Sequence, residues 1–162
     1  MFDTNIYGLL AELPDAEEFL LRIAYSGIMV CGSKVVRKEL RDIPLGKTID
    51  GKNLRSVTLS IYDTLVKEKR NYSITAFVEE LSQDYKRNYA GKSPLHELEN
   101  DFLIAATASV HHLDIVCSDD RKTMASKESI IAYNEANRKY ELPTPKFIKF
   151  GELENIVRSS TQ

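Results

Sequence analysis

The sequence predicts an α/β protein of the three-layer kind, with helices on both faces of a parallel sheet. Three short runs rich in branched apolar residues, at 28–31, 113–117 and 145–150, are too brief for helices. Amphipathic segments of helical period stand between them, and alternation of this kind requires crossover connections and parallel pairing. Size agrees: 162 residues, 43% hydrophobic and 28% charged, suffice for one domain with its own core. Prolines and glycines are dispersed, with no linker, repeat or low-complexity tract, so residues 1–162 are expected to form one continuous domain.

The chain opens on a short strand closed by Asp3. Pro14-Asp15-Ala16-Glu17-Glu18 has the proline and acidic bias of a helix first turn, and Phe19, Leu20, Ile23 and Ala24 recur at helical spacing until Gly27. Ile28-Met29-Val30-Cys31 reads as a buried strand. Gly32-Ser33 then supplies a turn and an N-cap for a helix over 34–42, which Pro44 and Gly46 end. Leu54, Val57, Ile61 and Leu65 mark an amphipathic helix over 54–66, and Ile74, Phe77, Val78, Leu81 and Tyr85 mark another. These two are expected to pair as a hairpin whose apolar face would make a homodimer surface or a groove for a partner helix, or equally would cap the domain as core. Ser93-Pro94 reads as the N-cap and first position of a helix carrying Glu97, Asp101, Ile104, Ala105 and Ala108 and fading at His111-His112. A strand over 113–117, a helix over 127–140, a strand over 145–150 and a final turn or two over 152–157 complete the chain.

Composition excludes several classes. With 22 Lys plus Arg against 24 Asp plus Glu, the formal charge is −2, so no overall basic field attracts nucleic acid and any polyanion contact must be local. Cys31 and Cys117 lie in apolar runs, where a free thiol behaves as a small hydrophobe, and a reducing, cytoplasmic setting is expected. The opening residues lack the cationic region and apolar core of a signal peptide, and no apolar run approaches the ~20 residues of a membrane span. Neither a Gly-x-Gly-x-x-Gly fingerprint nor a P-loop lysine is present.

In a parallel sheet the loops at the carboxyl ends of the strands converge on one edge, where a polar residue after each strand can build a site. Asp3, Glu39, Asp101 and Asp119 have that placement. Any one alone reads as a turn or helix cap. Asp101 differs, because the run Phe102-Leu103-Ile104-Ala105-Ala106-Thr107-Ala108 behind it should be packed nearly all round, and an unpaired carboxylate entering such a helix costs several kcal/mol of desolvation. It calls for a cation, unless the helix macrodipole alone stabilises it.

Four blocks carry a resemblance: Asp3-Thr4-Asn5, Val35-Val36-Arg37-Lys38-Glu39-Leu40, Asn100-Asp101-Phe102-Leu103-Ile104-Ala105-Ala106-Thr107-Ala108, and Ile115-Val116-Cys117-Ser118-Asp119. In this order the chain resembles the PIN-domain nucleases, and within them the VapC-like toxins, over residues 1–122; residues 127–162 add nothing to the match. The resemblance implies a PIN-like α/β/α fold around a parallel sheet of four to five strands. It also implies a metal-dependent endoribonuclease, the toxin of a toxin-antitoxin pair, with RNA as substrate, a small antitoxin protein as partner and frequent homodimerisation.

Carried over by position, Asp3, Glu39, Asp101 and Asp119 would hold Mg²⁺ or Mn²⁺, with Asn5 and Ser118 as polar supports. Asp120 is the alternative fourth acid; aligning the alanine-rich block without gaps favours Asp119. Cys117 stands where the family has Thr or Ser, so the hydroxyl there would be either missing or supplied by Ser118. Hard divalent ions take oxygen ligands and keep several waters, so they can activate water against a phosphodiester. Arg37, Lys38 and Arg121 flank the acids and could hold RNA phosphates, although a solvated helix face accounts for such charges equally. A PIN-like RNA- or protein-binding module without catalysis is the alternative, motivated by the short first strand, Cys117 and the low net charge.

Overall fold

A computed structural model describes residues 1–159. The chain runs α1 (Thr4–Glu12), α2 (Ala16–Tyr25), β1 (Gly32–Ser33), α3 (Lys34–Asp42), β2 (Thr48–Ile49), β3 (Lys52–Asn53), α4 (Leu54–Leu65), a 3₁₀ turn (Glu68–Arg70) and β4 (Asn71–Tyr72). Then follow α5 (Ala76–Asn88), a second 3₁₀ turn (Leu95–Glu97), α6 (Glu99–Val110), β5 (Ile115–Cys117), α7 (Lys127–Lys139), β6 (Lys146–Ile148) and α8 (Phe150–Ser159). The protein is mixed α/β, dominated by helices, and no described helix is long and apolar enough to cross a membrane.

The strands are short, and among the described residues they do not join into a central sheet of four to five. Among the described residues each ladder has two strands: β1 with β4 and β5 with β6, both parallel, and an antiparallel β2–β3 hairpin. The opening strand is reduced to one parallel bridge, Phe2 to Cys117, in which Asp3 N–H donates to Cys117 O at 2.9 Å and Cys117 N–H to Met1 O at 2.9 Å. The run 28–31 joins no ladder. Val30 and Cys31 are buried, but pairing passes to Gly32 and Ser33, where the backbone comes so close to α4 that a Cβ on Gly32 would lie 2.7 Å from Tyr62 Cζ. The β2–β3 turn uses Asp50 and Gly51, both at positive φ, as such two-residue hairpins favour.

The helices follow local chemistry. Ser33, Asn53, Thr75 and Ser126 each accept a backbone N–H from the first turn of α3, α4, α5 and α7. The opening segment holds a helix that the sequence reading passes over: α1 buries Ile6, Tyr7 and Leu10 completely. Pro94 starts a 3₁₀ turn instead of α6, which begins at Glu99, so Asp101 lies in its first turn.

The expected hairpin of α4 and α5 does not form. The helix α4 packs on α1 and α3, whereas α5 packs on α6 and α7, because β4 intervenes and pairs with β1. Both apolar stripes are used up inside the chain: Ile61, Tyr62 and Leu65 in one core, Val78, Leu81 and Tyr85 in the other. The two cores meet at α6, which gives Ile104 and Ala108 to the first and Phe102, Ala105 and Ala106 to the second.

Candidate functional site

Asp3, Glu39, Asp101 and Asp120 line one depression of about 500 Å³, with Thr4, Asn5, Asp42 and Ile43 completing its wall. Each acid is delivered by a different part of the fold. Asp3 ends the bridge to β5 and caps α1, Glu39 projects from the middle of α3, Asp101 comes from the first turn of α6, and Asp120 follows β5.

Hydrogen bonds fix three of them. Asp3 is buried and accepts from the Thr4 N–H at 2.7 Å, from Asn5 Nδ2 at 2.8 Å and from Ser118 Oγ at 2.7 Å. Asn5 and Ser118, the expected polar supports, thus both donate to Asp3, and Ser118 is fully buried. Glu39 is held from two helices, by the Thr4 hydroxyl and by Asn100 Nδ2 at 2.6 Å. Asp120 accepts the N–H groups of Lys122 and Thr123 at 2.8 and 2.9 Å and the Thr123 hydroxyl at 2.6 Å, an Asx turn that organises the loop after β5. Thr4, Asn100 and Thr123 were not singled out as site residues in the sequence, although Thr4 and Asn100 each stand next to one of the acids.

Asp101 is different. Its Oδ2 is buried and has no hydrogen-bond partner among the described residues. Burial, against an opposing hydrogen bond from Thr123 and with the negative charges of Asp3, Asp120 and Glu39 acting in the same sense as burial, pushes its carboxyl up to about 7. Burial likewise raises Asp3 to about 6, against the opposing bonds from Ser118 and Thr4. For Asp120 the Thr123 and Lys122 hydrogen bonds outweigh partial burial and hold it below the usual carboxylate range. No Lys, Arg or His pairs with any of these four acids within 4.0 Å among the described residues.

Asp119 does not join them. Its Oδ1 accepts the Phe150 N–H at 2.7 Å, on the first residue of α8. It faces the last helix, and Asp120, one residue on, turns into the depression instead. The expected phosphate contacts are also engaged: Arg37 is bidentate to Asp63 at 3.1 and 3.0 Å, Lys38 pairs with Asp42 at 2.6 Å, and Arg121 lies 4.0 Å from Glu152. Lys34, Arg41 and Lys122 carry no ion pair within that range among the described residues.

The donor set is all oxygen, which suits Mg²⁺ or Mn²⁺ and not a thiolate-seeking metal. Among the described residues, however, no three Asp, Glu, His or Cys side chains are drawn together closely enough to hold an ion between them. The cluster thus offers carboxylates without converging into a finished shell, as an ion that keeps most of its waters permits. A larger groove of about 970 Å³ lies apart from these acids, along α1, α2 and α4.

In comparisons with known proteins, no family model, no curated protein and no solved structure matches the chain.

Proposed function

We propose that the chain is an Mg²⁺- or Mn²⁺-dependent endoribonuclease whose acids are Asp3, Glu39, Asp101 and Asp120, the last replacing Asp119. The observation that carries the reading is Asp101: a carboxylate oxygen buried without a partner among the described residues, beside Asp3, Glu39 and Asp120, none of which pairs with a cation among them. Such an arrangement costs several kcal/mol unless a cation or a proton completes it. In finer detail we place the chain with the PIN-like α/β/α folds; the parallel sense of both the β1–β4 and β5–β6 pairs supports this.

A bound divalent ion would supply a water of lowered pKa and neutralise charge on the leaving oxygen. The chain's own groups do the rest. Ser118 and Asn5 hold the Asp3 carboxylate in one orientation, Thr4 and Asn100 hold Glu39, and Thr123 holds Asp120, so these acids need little reorganisation when substrate arrives. Asp101, free at one oxygen, is the ligand position left open.

Cleavage of RNA by the purified chain in Mg²⁺, in Mn²⁺ and in EDTA tests this, with Asp101→Asn as the control. Metal-dependent cleavage by wild type only is the expected result, and cleavage persisting unchanged in Asp101→Asn with chelator refutes it. The toxin assignment adds growth arrest on expression in the cytoplasm, relieved by a small antitoxin that co-purifies. A second reading, a PIN-like RNA- or protein-binding module without catalysis, is favoured by the absence of three converging ligands among the described residues. It requires that there be no metal-dependent cleavage and no strong metal affinity.

A further inference from the structure

We infer that the outer side of α3 carries a second phosphate-binding site, which grips the backbone of a single-stranded RNA away from the acids; the inference rests on the ribonuclease reading. Lys34, Arg37 and Arg41 stand at i, i+3 and i+7, one face of the helix, and line a cleft of about 620 Å³ with Asp63, Glu68 and Asn71 opposite. Glu39 lies roughly 200° around the helix from Arg37 and points into the acidic depression instead. One helix therefore presents carboxylate to one side and cations to the other.

The cleft is basic in a chain that is not. Three cations, Lys34, Arg37 and Arg41, line it against two acids, Asp63 and Glu68, and exposed Lys67 and Lys69 adjoin Glu68 in the chain, while the whole chain has a formal charge of −2. Asp63 offsets part of this, but it also fixes the Arg37 guanidinium through Nε and Nη2, leaving Nη1 without a hydrogen bond among the described residues. A guanidinium held in place in this way binds phosphate with little loss of side-chain freedom. The Arg37 pairing thus reads as orientation and not only as neutralisation, with Lys34 and Arg41 on either side adding unpaired charge.

A helix is about 10 Å across, roughly three nucleotides at the ~3.4 Å rise of a stacked strand. A strand engaged at both sides of α3 must be longer than that. The site would therefore make cleavage depend on substrate length, with oligonucleotides too short to reach round α3 losing the contribution of the cleft.

The test uses the full chain with Asp101→Asn, in EDTA, binding a labelled single-stranded RNA of about 16 nucleotides, the upper range of such grooves, across a salt series. Lys34→Glu with Arg41→Glu should weaken binding roughly tenfold and flatten the salt dependence by about 1.4, at ~0.7 per lost phosphate contact. Lys67→Glu with Lys69→Glu, on a separate element, should act in the same direction, and circular dichroism checks that both variants fold. Unchanged affinity and slope in both variants overturn the inference, as does an acidic peptide of equal charge binding as tightly as the RNA. The two readings fail separately. Charge reversal that weakens binding in a chain that never cleaves leaves the cleft standing and removes the nuclease; metal-dependent cleavage with binding indifferent to charge reversal does the opposite.

Discussion

Asp101 exposes a conflict between stability and the chemistry proposed for the site. Its carboxyl titrates near 7 when folded, against about 4 in an unfolded chain, so it opposes folding at high pH and this opposition is relieved as pH falls through 7 towards 4. Asp101→Asn should therefore abolish metal-dependent cleavage and yet raise stability at pH 8, by roughly 2–4 kcal/mol, with little gain at pH 4. Denaturant unfolding at the two pH values reads this directly; a uniform loss of stability would mean that the site is not strained. This conflict was partly legible in the sequence, because the apolar run after Asp101 announced a buried helix. The choice of Asp120 over Asp119 was not. Adjacent residues in a loop point in different directions, and the bond between Asp119 and Phe150 depends on where α8 starts, which spacing alone does not reveal.

At the scale of elements, the glycine of β1 and the carboxylate between α5 and α7 carry the sharpest expectations. Gly32→Ala should destabilise by about 1–3 kcal/mol, since its Cβ would collide with the Tyr62 ring and the Val66 side chain and displace the Tyr62 hydroxyl from Ser33 O. A thermal unfolding curve matching wild type would refute the close approach. Asp84 ties α5 to α7: burial raises its pKa, but bonds from Tyr140, Arg87 and Lys139 prevail and hold the carboxyl at about 2. Its contribution is therefore complete above about pH 4 and is lost as pH falls through 2. Asp84→Asn should flatten the acid limb of the stability profile, measured by urea unfolding between these values.

Periodicity made most helices legible. The helices α2 to α5 and α7 lie where apolar spacing puts them, α8 starts at Phe150 inside the expected strand and runs longer than the turn or two expected over 152–157, and α1 was hidden because Asp3 serves both as strand end and as N-cap. Apolar content misled at residues 28–31, where burial of Val30 and Cys31 serves packing without pairing. The Asp50-Gly51 dipeptide carries the chemistry of its two-residue turn in the sequence itself. The sheet itself fell short because ladder length depends on how helices sit over the strands, which no local pattern records.

For the whole molecule, the proposed site makes stability depend on metal. An ion that binds only the folded chain adds stability by mass action, about 2.7 kcal/mol at a concentration a hundred times its dissociation constant. Added Mn²⁺ should raise the thermal midpoint of wild type at pH 8, and at pH 6, where Asp101 and part of Asp3 are protonated, its binding should also release protons, since both bind it deprotonated. Asp101→Asn should show neither effect. Calorimetry in buffers of differing ionisation enthalpy would detect the protons, and an Mn²⁺ response surviving in the variant would place the ion elsewhere.

The sharing of α6 between two cores bears on the order in which the molecule opens. A helix clamped on both sides is released only when both halves come apart, so the amide protons of α6 should be the last in the chain to exchange with deuterium. Asp101 rides on the first turn of that slowest segment, whereas Asp120 sits on a loop and Asp3 on a single bridge. Fluctuation at the acidic depression is thus one-sided, with its proposed ligands arriving and departing around a stationary Asp101.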